Sequence, residues 1–240
     1  MQTTRRQYLS AVGVGGWGSI QSGQKEKQHA IQQTSETGVD VGAVYIPFLG
    51  SKWGRCIDHE PSVGQYGIDD SAVINQQIQW MKDYGISTVM FNFGESYECF
   101  DRFHTFQEAE LVDDIKIEIF WPINRVFQRD LDLERILDFI RSEFLKRDNY
   151  KQYNGRPVIQ FWAAAYLRHH DGTRKQIIDE YGSLAAFVNH IRERLTVEGV
   201  DPYLIAHEPA PSVRPDYARA YDGYTSWFGP LNRLGTPTWQ

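Results

Sequence analysis

The chain has 240 residues, 41% of them hydrophobic and 23% charged, which is enough apolar material for one domain with a sizeable core and too little length for a second full one. Its formal charge of -6 and pI of about 5.6 disfavour a broad electrostatic surface for nucleic acid. The sequence has no zinc-ligand spacing, phosphate-cradling glycine loop or dinucleotide fingerprint, so neither a metal nor a cofactor is implied.

At the amino end, Thr4-Arg5-Arg6-Gln7-Tyr8-Leu9-Ser10 looks like a twin-arginine export signal, followed by a weakly apolar, glycine-rich stretch from Ala11 to Ile20. That stretch is too short to span a bilayer, so no transmembrane segment is expected. Residues 1–20 are read as the signal, with export as the expected destination and the cytoplasm if the signal does not function. Residues 21–38 are rich in Gln, Lys, Glu, Ser and Thr, cannot offset their ordering entropy by burial, and read as a disordered linker. The folded domain is expected over residues 39–240.

Val44-Tyr45-Ile46-Pro47-Phe48 opens the domain as a first strand. Ile74, Ile78 and Met81 recur at helical spacing, Asp69 or Asp70 can cap the helix, and Gly85 can end it in a left-handed conformation. Val89-Met90-Phe91-Asn92-Phe93 follows at once as a strand buried on both faces. Asp101 to Asp114 reads as a polar segment, and Ile115 to Trp121 as a third strand ended by Pro122. A helix with Leu133, Ile136, Leu137, Ile140 and Phe144 on one face starts near Asp130. Tyr153-Asn154-Gly155-Arg156-Pro157 is a turn into a fourth strand, Val158 to Trp162. A helical region from Lys175 breaks at Gly182 and restarts at Ser183. A fifth strand runs from Tyr203 to Ala206, a short helix covers Asp216 to Ala220, and Tyr221 to Trp227 reads as a sixth strand.

This alternation predicts the α/β class, a (β/α) barrel of TIM type that is incomplete at about six units. Two units are expected to be missing, so the chain is a truncated barrel, one piece of a split protein completed by a further segment or chain, or an open sheet. Cys56 and Cys99 each follow a predicted strand; two thiols or a disulfide are both compatible with their positions.

In a barrel, the carboxyl ends of the strands and the loops after them form the active-site mouth. Position therefore selects Asn92, Glu95, Glu98, His207 and Glu208, together with the aromatic residues Tyr45, Trp121, Trp162 and Trp227. Such rings can stack on the apolar faces of sugars, while Asn92 and His207 can hydrogen-bond hydroxyls. Phe93 and Phe120 are read as core. Hydrolysis of a glycoside needs an acid and a second carboxylate, and Glu208 and Glu95 are the catalytic candidates on this reading. Glu118 lies inside the third strand, where a base such as Arg125 or Arg102 is its expected partner.

Several motifs in order resemble glycoside hydrolase family 99-like proteins, which include endo-α-mannosidases and related domains found beside polysaccharide-synthesis glycosyltransferases. They are Tyr45-x-Pro47, Ile78-x-Trp80-Met81-Lys82-x-Tyr84-Gly85-Ile86 with Phe91-Asn92, Tyr153-x-Gly155-x-Pro157-Val158, and Tyr221-Asp222-Gly223-Tyr224-x-x-Trp227-Phe228. The resemblance implies a (β/α)8 barrel that cleaves internal α-mannosidic links with retention, using two glutamates in a Glu-Trp-x-Glu-like context on a late strand. The sequence has no such context. Its Glu95-x-x-Glu98 follows the second strand, so those roles are not transferred to it. The expected function is a glycoside hydrolase-like protein acting on or binding an α-linked, mannose-type oligo- or polysaccharide; the alternative is a non-catalytic carbohydrate-binding remnant or one piece of a split barrel.

Overall fold

The computed structural model describes residues 40–47, 63–64, 66–67, 69–94, 96–162, 164–207 and 215–225. The expected export signal and linker, together with Cys56, Glu95, Glu208 and Trp227, lie outside the described residues. The chain divides into two compact units: the described residues up to Asn92 with Glu98–Ile117, and Phe93–Tyr97 with the described residues from Glu118 onward.

The first unit holds β1 (Gly42–Tyr45), α1 (Ser71–Asp83), β2 (Thr88–Asn92), α2 (Glu98–Gln107), a 3-10 turn at Val112–Asp114 and the opening residues of β3 (Lys116–Pro122). The Asp70 carboxylate caps α1 by accepting the Val73 N–H at 3.2 Å. At the other end, Gly85 takes a φ of 74°. Its N–H donates to the Lys82 carbonyl at 3.0 Å, and that of Ile86 to the Met81 carbonyl at 2.8 Å. This is a Schellman closure, and it turns the chain straight into β2. Strands β1 and β2 are parallel, with Tyr45 opposite Phe91.

The first half of the stretch expected to be polar, from Asp101 to Asp114, belongs to α2. Cys99, Phe100, Phe103 and Phe106 form its buried stripe. Phe103 and Phe106 each sit 5.2 Å, centroid to centroid, from Phe91, so α2 covers one face of β2. The polar residues between them occupy its outer side.

The second unit holds the rest of β3, then α3 (Asn124–Gln128), α4 (Leu133–Phe139) running into a π-helical turn at Ile140–Phe144, β4 (Gln152–Tyr153), β5 (Arg156–Trp162), α5 (Ala164–His169), α6 (Asp171–Tyr181), α7 (Leu184–Arg194), β6 (Tyr203–His207), α8 (Pro215–Arg219) and β7 (Gly223–Thr225). The cap of α4 is Asp132, whose carboxylate accepts the Arg135 N–H at 3.2 Å. Asp130, near which the helix was expected to start, is in the preceding turn with a φ of 50°. Asn154 and Gly155 have φ of 52° and 76° and close a two-residue hairpin between antiparallel β4 and β5. The helical region expected from Lys175 begins earlier, with α5 and α6. It breaks at Gly182 (φ 82°), where the Ser183 hydroxyl accepts the Ala186 N–H at 3.0 Å to start α7.

In this unit β3, β5, β6 and β7 are successive parallel neighbours. Among the described residues, the two parallel strands of the first unit and the four of the second, alternating with helices, make the protein α/β, of (β/α)-barrel type, with fewer than the eight strands that close such a barrel.

The amino ends of β5, β6 and β7 are joined by charge. Arg156 donates to Asp222 Oδ1 at 2.8 Å and to Asp201 Oδ2 at 2.6 Å. Arg192 of α7 reaches Asp201 Oδ2 at 2.9 Å and Asp222 Oδ2 at 3.0 Å. The Leu204 N–H donates to Asp222 Oδ2 at 2.9 Å, so one carboxylate serves two guanidinium groups and a strand amide. Burial alone would raise the Asp222 pKa; the hydrogen bonds from Arg156, Leu204 and Arg192 outweigh it and hold the carboxyl below its ordinary value. Position at this end of a parallel sheet marks the cluster as stabilising. Asp222→Ala is expected to destabilise the protein by about 2–3 kcal/mol in urea unfolding at pH 7. Because the folded pKa is depressed, the carboxylate's contribution is complete above its unfolded pKa and fades as pH falls below about 4. The gap between wild type and variant should therefore narrow in acid.

Candidate functional site

Alternation along neighbouring strands sorts the side chains of the second unit into two faces. Phe120 is opposite Gln160, and Gln160 is opposite Ile205. One face therefore carries Glu118 and Phe120 from β3, Gln160 and Trp162 from β5, and Ile205 and His207 from β6. The other carries Ile119, Trp121, Ile159, Phe161, Leu204 and Ala206, all essentially buried. Tyr221 and Tyr217 cover this second face, with Tyr221 5.8 Å from Phe161 and the Tyr217 hydroxyl donating to the Ala164 carbonyl at 3.1 Å.

On the first face Glu118, Gln160 and His207 are 4%, 9% and 8% exposed and lie in a line across three strands. A carboxylate buried this deeply needs a donor. The Gln160 amide nitrogen donates to Glu118 Oε1. The Gln160 carbonyl oxygen lies 2.5 Å from His207 Nε2. Behind them Tyr150 links β3 to β5, accepting the Ile119 N–H at 3.3 Å and donating to the Val158 carbonyl at 2.7 Å.

Aromatic rings border the polar line toward the carboxyl ends of the strands. Phe120 stands edge-on to the His207 ring at 5.0 Å, and the half-buried Trp162 lies 6.5 Å from Phe120. Burial pushes the His207 pKa down to about 4, so the ring is neutral at pH 7. A carboxylate, an amide and a neutral imidazole beside apolar rings supply the mixture of polar and flat apolar contacts that a polyol ring would meet.

Among the residues selected from sequence, Trp162 and His207 share this face. Trp121 does not. It is fully buried on the opposite face, 5.5 Å from Phe161, with its indole nitrogen lacking a hydrogen-bond partner. Gly94, with a φ of 94°, approaches so closely that a Cβ there would lie 2.5 Å from Trp121 Nε1. The expected open platform at Trp121 is thus a packed core position.

In the first unit, Tyr45 turns toward the helices rather than a mouth. Its hydroxyl donates to Gln77 Oε1 at 3.0 Å and its ring lies 5.1 Å from Phe106. Burial, then the neighbouring Tyr66, raises its pKa. Asn92 ends β2 at 9% exposure. Glu98 is exposed in the first turn of α2 and pairs with Arg102 at 2.6 Å.

Arg102 is thus engaged by Glu98, and Arg125 donates to Gln128 Oε1 at 3.0 Å. Glu118 accepts from the Gln160 amide. Gln160 and Phe120 had not been singled out for a site. The available signal was an amide two residues before Trp162 in an otherwise apolar strand buried on both sides. Among the described residues, no group of three or more His, Cys, Asp or Glu side chains is arranged to hold a metal, and no helix is long and apolar enough to cross a membrane.

No protein-family model matches the sequence, and no curated protein matches it. Among solved structures, the chain is similar to the glycoside hydrolase family 99 endo-α-mannosidase from Bacteroides thetaiotaomicron in complex with bis-tris-propane, at 12% identity and a TM-score of 0.48, over 70% of this chain and 50% of that one. A second structure of the endo-α-mannosidase from that organism matches at 12% identity and a TM-score of 0.45, over 70% of this chain and 47% of that one. The chain thus spans about half the length of either.

The depressed His207 pKa carries a stability signature. The unfolded state takes up a proton below the ordinary value of 6.5, whereas the folded state resists until about 4. Stability is therefore complete above pH 6.5 and declines as pH falls through that window, by up to about 3 kcal/mol. In His207→Gln, urea midpoints measured from pH 7 to pH 4 should lose this component of the slope.

Proposed function

We propose that the face formed by β3, β5 and β6 binds an α-linked, mannose-type oligo- or polysaccharide, and that the protein hydrolyses it outside the cytoplasm. The observation that carries the reading is the buried Glu118–Gln160–His207 line with Trp162 beside it at the carboxyl end of β5. The sugar class comes from the ordered motifs between Tyr45 and Phe228 that resemble the endo-α-mannosidase-like proteins, and export from the Arg5-Arg6 signal.

In this reading Trp162 stacks on an apolar sugar face and His207 contributes to hydroxyl recognition. Asn92, at the end of β2, Glu98, at the start of α2, and Trp227, just past β7 in the sequence, are further candidates for substrate contact by chain position. Glu208 follows His207 directly and is assigned as one member of the carboxylate pair, with Glu95 as the other. One protonates the departing oxygen while the second attacks the anomeric carbon or activates water.

The test combines binding and turnover. Calorimetric titration with α-linked manno-oligosaccharides should show binding that Trp162→Ala weakens about tenfold, the equivalent of about 1.4 kcal/mol of ring contact. Release of reducing ends should occur with wild type and be lost in Glu208→Gln and Glu95→Gln, with binding retained. Binding without release by wild type would remove hydrolysis and keep recognition. A folded protein that binds no α-linked glycan would overturn the proposal.

A further inference from the structure

We infer that Asn154 is a site of spontaneous covalent modification: its side-chain amide closes on the backbone nitrogen of Gly155 to a succinimide, which water opens to aspartate or isoaspartate. The isoaspartate product disrupts the turn between β4 and β5.

Three features of the turn converge on this chemistry. Asn154 and Gly155 are the central residues of the hairpin, and both are exposed. Ring closure needs the carboxamide carbon and the next backbone nitrogen to be free to meet. Among the described residues, no hydrogen bond is made by the Asn154 side chain or by the Gly155 N–H. Gly155 has no Cβ to hinder the approach, and the space where one would stand holds no atom within 4 Å.

The other described asparagines lack this combination. Asn75 and Asn189 lie inside α1 and α7, where the following amide belongs to the helical ladder. Asn92 and Asn124 are buried, and the amide after Asn92 donates to the Phe120 carbonyl at 3.2 Å. The amide after Asn149 donates to the Arg147 carbonyl at 3.1 Å, while Asn149 Oδ1 accepts from Arg147 Nε at 3.0 Å. Each of these asparagines is followed by a residue with a side chain.

The reaction exchanges bonds without oxidant or reductant. The Gly155 nitrogen gives its proton to solvent base and attacks Asn154 Cγ. The N–Cγ bond forms, the Cγ–Nδ2 bond breaks, and Nδ2 leaves as ammonia with a proton from solvent. Water then adds to one of the two imide carbonyls. At Cγ it breaks the new bond and leaves aspartate. At the main-chain carbonyl it breaks the original peptide bond and routes the chain through Cβ and Cγ.

The two products differ in what they do to the turn. Aspartate tolerates a positive φ as asparagine does, and position 154 stands at 52°. Asp-Gly also suits a two-residue hairpin. Isoaspartate instead lengthens the backbone by one carbon inside a loop whose length fixes the pairing of Tyr153 with Arg156. Arg156 is the residue that donates to Asp201 and Asp222, so the lesion lies next to the ionic cluster at the amino ends of the strands.

The full chain, aged in mildly alkaline buffer and then digested, is read by peptide mass and by labelling with an isoaspartyl methyltransferase. Asn154 is expected to lose its amide about tenfold faster than any other described asparagine, and the label should enter at that position. A synthetic peptide of residues 150–160 sets the time in which the unstructured sequence converts. A chain that keeps its amide at position 154 through that time, or loses amides at another described asparagine as fast, would overturn the proposal. The isoaspartyl fraction, separated by chromatography, should unfold at lower urea than fresh protein. Asn154→Asp, which adds the charge without the extra carbon, should stay close to the wild-type midpoint. An isoaspartyl fraction with the wild-type midpoint, or an Asn154→Asp protein destabilised as much, would overturn the link to the turn.

Discussion

Burial of the Glu118 carboxylate in the middle of β3 constrains everything around it on that face. A negative charge withdrawn from water must be matched by a donor, and two broad solutions exist: a counter-charge or a neutral hydrogen-bond donor. The second unit supplies a neutral donor from the neighbouring strand. The Gln160 amide satisfies the carboxylate with one end and leaves the other committed to His207. The result is a polar line across three parallel strands, flanked by Phe120 and Trp162, with hydrocarbon packed on the reverse side of the same strands.

Charge is handled differently at the amino ends of the strands. There Arg156 and Arg192 share Asp201 and Asp222, and the side chains remain partly open to water. Solvent moderates the desolvation cost, and bidentate geometry holds the starts of β5, β6 and β7 together without a buried ion pair. Ionic chemistry that fastens the sheet is thus at one end, and neutral hydrogen-bond chemistry suited to a ligand begins in the sheet interior and runs toward the other. A single parallel sheet supports this division because its two ends present different backbone groups and different loops.

The parts of the fold visible in the sequence are those set by local physics. The join from α1 through Gly85 into β2 is readable because a left-handed residue between an amphipathic stripe and an apolar run leaves few other conformations. Gly182 and Ser183 mark the break between α6 and α7 for the same kind of reason: a positive φ followed by a side-chain cap. Helix α2 was hidden because Asp101, Arg102, His104 and Thr105 dominate its composition, whereas its period is carried by Cys99, Phe103 and Phe106. The donor to Glu118 was hidden by distance. Opposite charge pointed to Arg125 or Arg102, whereas the Gln160 amide that donates to Glu118 is a neutral side chain on the neighbouring strand, and inter-strand register is not written in either segment alone.

Trp121 and Trp162 show how much a functional reading depends on that register. Both lie near the carboxyl end of a strand, both follow an apolar run, and position alone treats them alike. Alternation separates them. Trp162 stands two residues from Gln160 and shares its face, whereas Trp121 is an odd number of residues from Glu118 and faces the other way. The structure packs Trp121 there against Phe161 and so close to Gly94 that a side chain at that position would collide with the indole. An aromatic residue at the end of a barrel strand is therefore informative only with its parity relative to the buried polar residues. By that criterion Trp162 belongs with the site and Trp121 with the core.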